Sequence, residues 1–244
     1  MPALGLGTWK MSDGGEAETA VRAGIDAGYR LIDTAKLYGN ERSVGRAVRG
    51  SGVKREELFV TTKLWPTDFF NPQKAFDTSM SELDIGYVDL YLVHWPVPLM
   101  PKSVWQAMEL IYTSGKAKAI GVSNYGPADI EKLLGYASVT PAVNQIKFSP
   151  FDFEKETLEY CKEKSIVVEA YSPLTLGSNL NDNTIADLAQ KYGKTPAQIM
   201  LRWCVEHGTV PLPKSSNPGR MRENMAIFDF ELSQQDMETL DALS

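Results

Sequence analysis

At 244 residues the chain has the length of one large α/β domain with a sizeable core. A net charge of −6 and a pI near 5.1 argue against nucleic acid or an anionic membrane as the main partner. No basic-then-apolar leader opens the sequence and no apolar run reaches bilayer length, while Cys161 and Cys204 lie far apart without metal-type spacing; the expectation is a reduced, cytoplasmic protein.

Strand and helix patterns then alternate. Leu4 to Gly7 forms a short first strand, and Asp13 to Glu16 has the form of a capping box before a helical face of Val21, Gly24 and Ile25. Tyr29 to Asp33 is a second apolar strand, followed past Asn40 by a helix carrying Val44, Ala47 and Val48 on one face. Leu58 to Thr62 is β-rich and ends at Lys63, with a helix around Gln73 to Leu83. Val88 to Val93 is the clearest strand, ending at His94, and the helix after it spans Val104 to Tyr112. Ala117 to Val122 runs into Ser123-Asn124, and Pro127 opens the next helix at a position where proline is tolerated. Ala142 to Phe148 and Ile166 to Tyr171 are strands six and seven, separated by a helix over Glu154 to Lys164. Thr184 to Tyr192 reads as an added helix, and Thr195-Pro196-Ala197-Gln198 as a capping box starting another. Val210 to Pro213 is strand eight; helices begin at Asn217-Pro218 and Ser233.

Eight strands each followed by a helix imply a (β/α)8 barrel, residues 1–244 forming one catalytic domain. A doubly wound sheet would need a glycine-rich turn after the first strand, and Gly5-Leu6-Gly7-Thr8-Trp9 lacks the third glycine. In a barrel the carboxyl ends of the strands share one face, which gathers Asp33, Lys63, His94, Ser123-Asn124, Gln145, Tyr171 and Lys214. The chain has only two histidines, and His94 lies on that face; His207, near a helix end, reads as a surface residue. A lysine cation beside Tyr38 would lower the phenol's pKa toward useful acidity, and Asp33 would keep Lys63 charged. Each residue alone has an ordinary reading, as a half-buried aromatic, a core histidine or a solvated cap; the common face is what joins them.

The ordered set Gly5-Leu6-Gly7-Thr8-Trp9, Asp33-Thr34-Ala35, Tyr38-Gly39-Asn40-Glu41, Thr62-Lys63, Leu92-Val93-His94-Trp95-Pro96, Gly121-Val122-Ser123-Asn124, Asn144-Gln145, Ala170-Tyr171-Ser172-Pro173-Leu174 and Pro213-Lys214-Ser215 resembles the aldo-keto reductase family almost end to end. It is similar to short microbial members of the aldehyde and diketogluconate reductase type. The resemblance implies hydride transfer from NADPH to an aldehyde or ketone, with Tyr38 as general acid, Asp33 and Lys63 tuning it, and His94 orienting the carbonyl. It places Tyr171 against the nicotinamide ring and Ser123, Asn124 and Gln145 at its carboxamide. Gly7, Thr8, Trp9 and Asp33 would border the cofactor, and Ser172, Pro173 and Leu174 its pyrophosphate. Lys214, Ser215, Ser216, Asn217, Arg220, Glu223 and Asn224 would hold the adenosine end, and Trp9, Trp65 and Trp95 would wall the substrate pocket beside Tyr38 and His94. Independently of the family, two cations with hydroxyls at a helix N-terminus make an anion site, which favours NADPH over NADH.

The pattern also departs from the family. Lys147 and Ser149 stand where relatives usually carry an acidic residue and often a histidine, and Glu169 where a small or neutral residue is more common. Strand parity invites a Lys147–Glu169 pair at the barrel mouth. The usual N-terminal hairpin and C-terminal loop are not in the sequence, and the Pro96 to Ser103 and Ser172 to Asn183 connections are brief, so an open, loosely selective pocket is expected. The expected assembly is a monomer, with no metal and no partner beyond a small carbonyl substrate. Two rivals remain: a non-enzymatic NADPH-binding sensor barrel, and a Schiff-base lyase using Lys63.

Overall fold

A computed structural model of the chain describes residues 1–97 and 101–244. Eight parallel strands pair in sequence order: β1 (Gly5–Gly7), β2 (Leu31–Asp33), β3 (Phe59–Leu64), β4 (Val88–Val93), β5 (Ala117–Ser123), β6 (Val143–Lys147), β7 (Val167–Tyr171) and β8 (Val210–Leu212). A parallel bridge between Gly7 and Lys214, with Gly7 N–H donating to Pro213 O at 3.1 Å, brings the last strand back to the first. The result is the expected (β/α)8 barrel.

Helices wrap the outside: α1 (Gly15–Asp26), α2 (Glu41–Gly50), α3 (Pro72–Leu83), α4 (Lys102–Thr113), α5 (Pro127–Leu134), α6 (Lys155–Glu163), α7 (Asn183–Tyr192), α8 (Pro196–Glu206), α9 (Pro218–Met225) and α10 (Gln234–Asp241). Their buried stripes and the outward-facing strand residues form one large core that includes Val21, Ile25, Val44, Ile120, Ile130 and Trp203. Helix packing is tightest where Gly45 of α2 meets the end of α3; a Cβ at that position would lie 1.9 Å from the Leu83 carbonyl oxygen. Among the described residues no helix is long and apolar enough to cross a membrane.

Inside the barrel apolar and polar side chains interlock. Leu31, Val210 and Leu212 form one apolar cluster and Leu90, Leu92 and Val143 another. One pleat step above Leu31 and Val143 the same inward parity presents Asp33 and Gln145, joined by Lys63 and Glu169, all buried. Register sets Lys63 beside Leu92 and Glu169 beside Val210.

Several sequence expectations are corrected at this level. The Asp13 to Glu16 box does not form: Gly14 occupies the N-cap without a side-chain bond, Glu16 accepts from Ser12 N–H at 2.9 Å, and Asp13 is engaged by Ser43. The Thr195 box does form, with Thr195 Oγ1 accepting from Gln198 N–H and Gln198 Oε1 from Thr195 N–H. His207 is not a surface residue. It packs beside Trp203 and Phe153 and contacts Asp241 Oδ1 at 2.8 Å, because α10 folds back over the end of α8. The short Pro96 to Ser103 connection includes residues 98–100, which lie outside the described residues.

Candidate active site

Asp33 closes β2, and the chain then turns through a short 3-10 segment, Lys36–Tyr38, into Gly39 at φ 66°. That left-handed conformation suits glycine and redirects the backbone into α2. Asn40 anchors the loop from below: its Nδ2 donates to Thr8 O and Met11 O, and its Oδ1 accepts from Thr34 Oγ1. Glu41, also buried, accepts from Thr62 Oγ1 at 2.6 Å. Asn40 and Glu41 thus hold the phenol of Tyr38 over β3.

Lys63 of β3 has no exposed surface, and its Nζ donates to Asp33 Oδ1 at 2.7 Å, Thr34 O at 3.0 Å and Tyr38 Oη at 3.2 Å. An ammonium has only donors, so Tyr38 Oη is the acceptor there and keeps its own proton for a partner in the cavity. Burial opposes the Lys63 charge, but Asp33 and Tyr38 outweigh it and its pKa is raised. Burial also raises the Tyr38 pKa, and the opposing pull of Lys63 only partly offsets this. The sequence expectation of a net downward shift is thereby reversed, because desolvation of a phenolate exceeds the attraction of a cation already paired with Asp33. Tyr38 is a neutral phenol at working pH.

His94 follows β4 with its ring edge-on to Trp65 at 5.0 Å and to Tyr38 at 5.7 Å between centroids. Burial, reinforced by the Lys63 charge, lowers its pKa to about 3. Among the described residues Nδ1 is buried without a partner. A bare ring nitrogen costs less as a lone pair than as an N–H, so the favoured tautomer carries its proton on Nε2.

These groups open into a cavity of about 730 Å³. Asp33, Tyr38, His94, Trp65 and Gln145 line its deep end, and Trp9 and Trp95, each roughly half exposed, stand at its rim. Beyond them Ser123 Oγ donates to Gln145 O, and Asn124, at φ 64°, accepts at Oδ1 from Tyr171 Oη at 2.8 Å. Gly7, Ser172, Pro173 and Leu174 continue the wall. The far end holds Lys214, Ser215, Ser216, Asn217, Arg220, Glu223 and Asn224. Asn217 caps α9 by accepting from Arg220 N–H at 3.0 Å, and Glu223 is steadied by Thr195 Oγ1 at 2.8 Å. Among the described residues neither Lys214 nor Arg220 forms an ion pair, so both cations are available to an anion.

Two expected site residues stand behind the surface. Thr8 is fully buried and donates to Asp33 O at 2.9 Å, and Lys63 is screened by Asp33 and Tyr38. Leu37, Leu176 and Leu180 line the cavity without having been expected; a loop leucine has no sequence signal that separates a pocket wall from packing. The Lys147–Glu169 pair is absent. Register sets Gln145 opposite Glu169 and Lys147 opposite Tyr171; Lys147 turns outward to Asp152, while Glu169 points inward with no exposed surface. The correct parity at the mouth was one residue pair deeper: Gln145 Nε2 donates to Glu169 Oε2 at 2.7 Å and to Asp33 Oδ2 at 2.9 Å.

The sequence model of the Aldo/keto reductase family matches residues 3–244. A Bacillus subtilis (strain 168) protein named glyoxal reductase is 46% identical over 246 residues, covering 100% of this chain and 89% of its own length. Among solved structures, an aldo-keto reductase enzyme from a Medee basin deep-sea metagenome library superposes with a TM-score of 0.96 at 42% identity, covering 100% of this chain and 92% of that one. A Bombyx mori aldo-keto reductase in complex with NADP superposes with a TM-score of 0.93 at 34% identity, covering 100% of this chain and 89% of that one. The chain belongs to the aldo/keto reductase family, whose members are oxidoreductases of small carbonyl compounds.

Proposed function

We propose that this member of the aldo/keto reductase family is an NADPH-dependent reductase of small aldehydes and ketones, acting as one catalytic unit over residues 1–244, with Tyr38 as general acid. The observation that carries the reading is the chain Asp33–Lys63–Tyr38 ending in a neutral phenol beside a neutral His94. Only Tyr38 of the two can give up a proton usefully: imidazole, with a conjugate-acid pKa of about 3, is uncharged at neutrality.

The cavity suits the cofactor at both ends. Lys214 and Arg220, beside the N-terminus of α9 and without an ion-pair partner among the described residues, offer charge to a ribose phosphate. Gln145, Asn124 and Ser123 offer fixed amide and hydroxyl groups to a carboxamide. NADPH, when bound, supplies the hydride that reduces the carbonyl carbon. His94 Nε2–H holds the carbonyl oxygen, and Tyr38 Oη transfers its proton to that oxygen as the alcohol forms. The Lys63 ammonium stabilises the phenolate left behind, and Asp33 keeps Lys63 charged; the phenol recovers its proton from solvent. The relative named glyoxal reductase supports small, reactive aldehydes as the first substrates to try.

The lyase reading fails on Lys63 itself, whose raised pKa and three acceptors deny it the free amine that a Schiff base requires. The test is NADPH oxidation with a panel of simple aldehydes, comparing wild type with Tyr38→Phe. Activity lost in the variant with NADPH binding retained supports the reading. Binding without turnover on any carbonyl makes the protein a sensor. Equal dissociation constants for NADPH and NADH would remove the cofactor preference.

A further inference from the structure

Glu169 is a buried titratable group that the hydride and proton chemistry leaves unused. It sits on β7, faces Gln145 of β6 in register and has no exposed surface. The Gln145 amide nitrogen has two N–H bonds, and both are committed: one to Asp33 Oδ2 and one to Glu169 Oε2. Two carboxyl groups facing one amide nitrogen settle the flip of that amide, which leaves Gln145 Oε1 as the acceptor available to the cavity that Gln145 lines. With an apolar residue at position 169 the amide would keep a single anchor, and its terminal torsion, which is broad by nature, would be free to swing.

We propose that Glu169 is a positioning residue for the cofactor: acting through Gln145, it holds the amide that receives the nicotinamide carboxamide and links cofactor binding to its own protonation. The inference rests on the cavity being the NADPH site. It follows from a count of charges. The groups facing Glu169 are Asp33 from β2, Lys63 from β3 and, behind Lys63, Tyr38 from the loop after β2. Gln145 faces it from β6 without charge, and β8 presents only Val210 and Leu212. One cation stands against two carboxyl groups, and Asp33 already holds it at 2.7 Å. Glu169 Oε1 meanwhile has no partner among the described residues. Burial first, and then the Asp33 charge, raise the Glu169 pKa to about 7. Glu169 is therefore the neutral acid below that pH and a carboxylate above it. Reduced nicotinamide is uncharged and the oxidised ring is a cation, so ionised Glu169 favours the oxidised cofactor.

The test is equilibrium binding of NADPH and of NADP to wild type, Glu169→Gln and Glu169→Val at pH 6 and pH 8.5. A 2′-phosphate also titrates in this range, but equally in both cofactors, so the ratio of the two dissociation constants isolates the ring. In wild type the ratio should move toward NADP by about five- to tenfold between the two pH values. In Glu169→Gln, which keeps the acceptor without the charge, the ratio should stay flat while NADPH affinity at pH 6 is preserved. In Glu169→Val, NADPH affinity should fall by about tenfold at both pH values, the signature of a lost anchor. A wild-type ratio as flat as that of Glu169→Gln overturns the proposal, as does wild-type affinity in a folded Glu169→Val. Should Glu169→Val not fold, the Glu169→Gln ratio decides alone. Wild type that binds neither cofactor refutes the proposed function instead.

Discussion

The same buried acid has a consequence in the cofactor-free protein. Glu169→Gln removes a charge that the fold must otherwise accommodate above neutrality, while a carboxamide oxygen still accepts from Gln145. A carboxyl with a folded pKa of about 7, against an ordinary value of 4.5, binds its proton more tightly in the native state. Between those values the folded protein holds more protons than the unfolded chain, so stability falls as pH rises through that window. From pH 5 to pH 8 the linkage relation gives a loss of about 2 kcal/mol. The assay is urea unfolding of wild type and Glu169→Gln at half-unit intervals, read as the difference between the two proteins. Other titrating groups, His94 among them, are common to both and cancel. The variant should gain on the wild type progressively above pH 5, with the gain complete near pH 8. Parallel profiles would show that Glu169 does not titrate in this window, and the charge count in the barrel would have to be redrawn.

Four further outcomes follow from individual contacts. His94, held neutral with a pKa lowered to about 3, makes the native state lose stability as pH falls below the unfolded value near 6.5; His94→Gln should abolish about 2 kcal/mol of acid sensitivity between pH 7.5 and pH 5, read by urea midpoints. Lys63→Met leaves Asp33 charged and uncompensated in the interior and should cost about 3–5 kcal/mol, most of it recovered when Asp33→Asn is added; a double variant no better than the single refutes the pairing. Lys214→Ala or Arg220→Ala should weaken NADPH binding by about tenfold and NADH binding by less than about twofold, and equal losses for both would place the cations elsewhere. Gly45→Ala drives a Cβ into a backbone carbonyl that no rotamer can move, so a cost of about 3 kcal/mol or more should appear as a lower Tm.

Legibility in the sequence tracked how local each determinant is. Val88 to Val93 is legible to the residue because the strand is a nearly unbroken apolar run, interrupted only by Asp89, with hard stops at each end. Asp33, Lys63, His94 and Gln145 were placed on one face because strand parity and barrel topology leave no other arrangement. What failed was partner choice. Asp13 met Ser43 and Glu16 met Ser12, since a capping box must compete with tertiary acceptors that sequence spacing does not reveal. Glu169 stands out in the sequence but its partner does not: β6 carries both Gln145 and Lys147 on one parity, and only register tells which lies opposite Glu169. The sign of the Tyr38 shift is hidden in the sequence for a related reason. Proximity of a cation can be argued from a motif, whereas the depth of desolvation depends on everything packed around it.

Two kinds of side chain in the barrel interior divide the work of folding from that of chemistry. Leu31, Leu90, Leu92, Val143, Val210 and Leu212 fill the barrel with groups that need no partners. Beside them, two carboxyls, one ammonium, a phenol and an amide occupy space that apolar side chains would fill at equal or lower cost, since a buried ion pair seldom repays its desolvation. Their bonds are nevertheless almost complete. Among the described residues Nδ1 of His94, Oε1 of Glu169 and Oγ1 of Thr61 are buried without partners. An arrangement chosen for stability alone would not leave a histidine and a carboxyl bare beside a cavity of about 730 Å³. Asp33, Lys63 and Gln145 are thus fixed largely by bonds among themselves and to Glu169 and Tyr38. A ligand entering the cavity meets donors already fixed in position, and pays little to organise them.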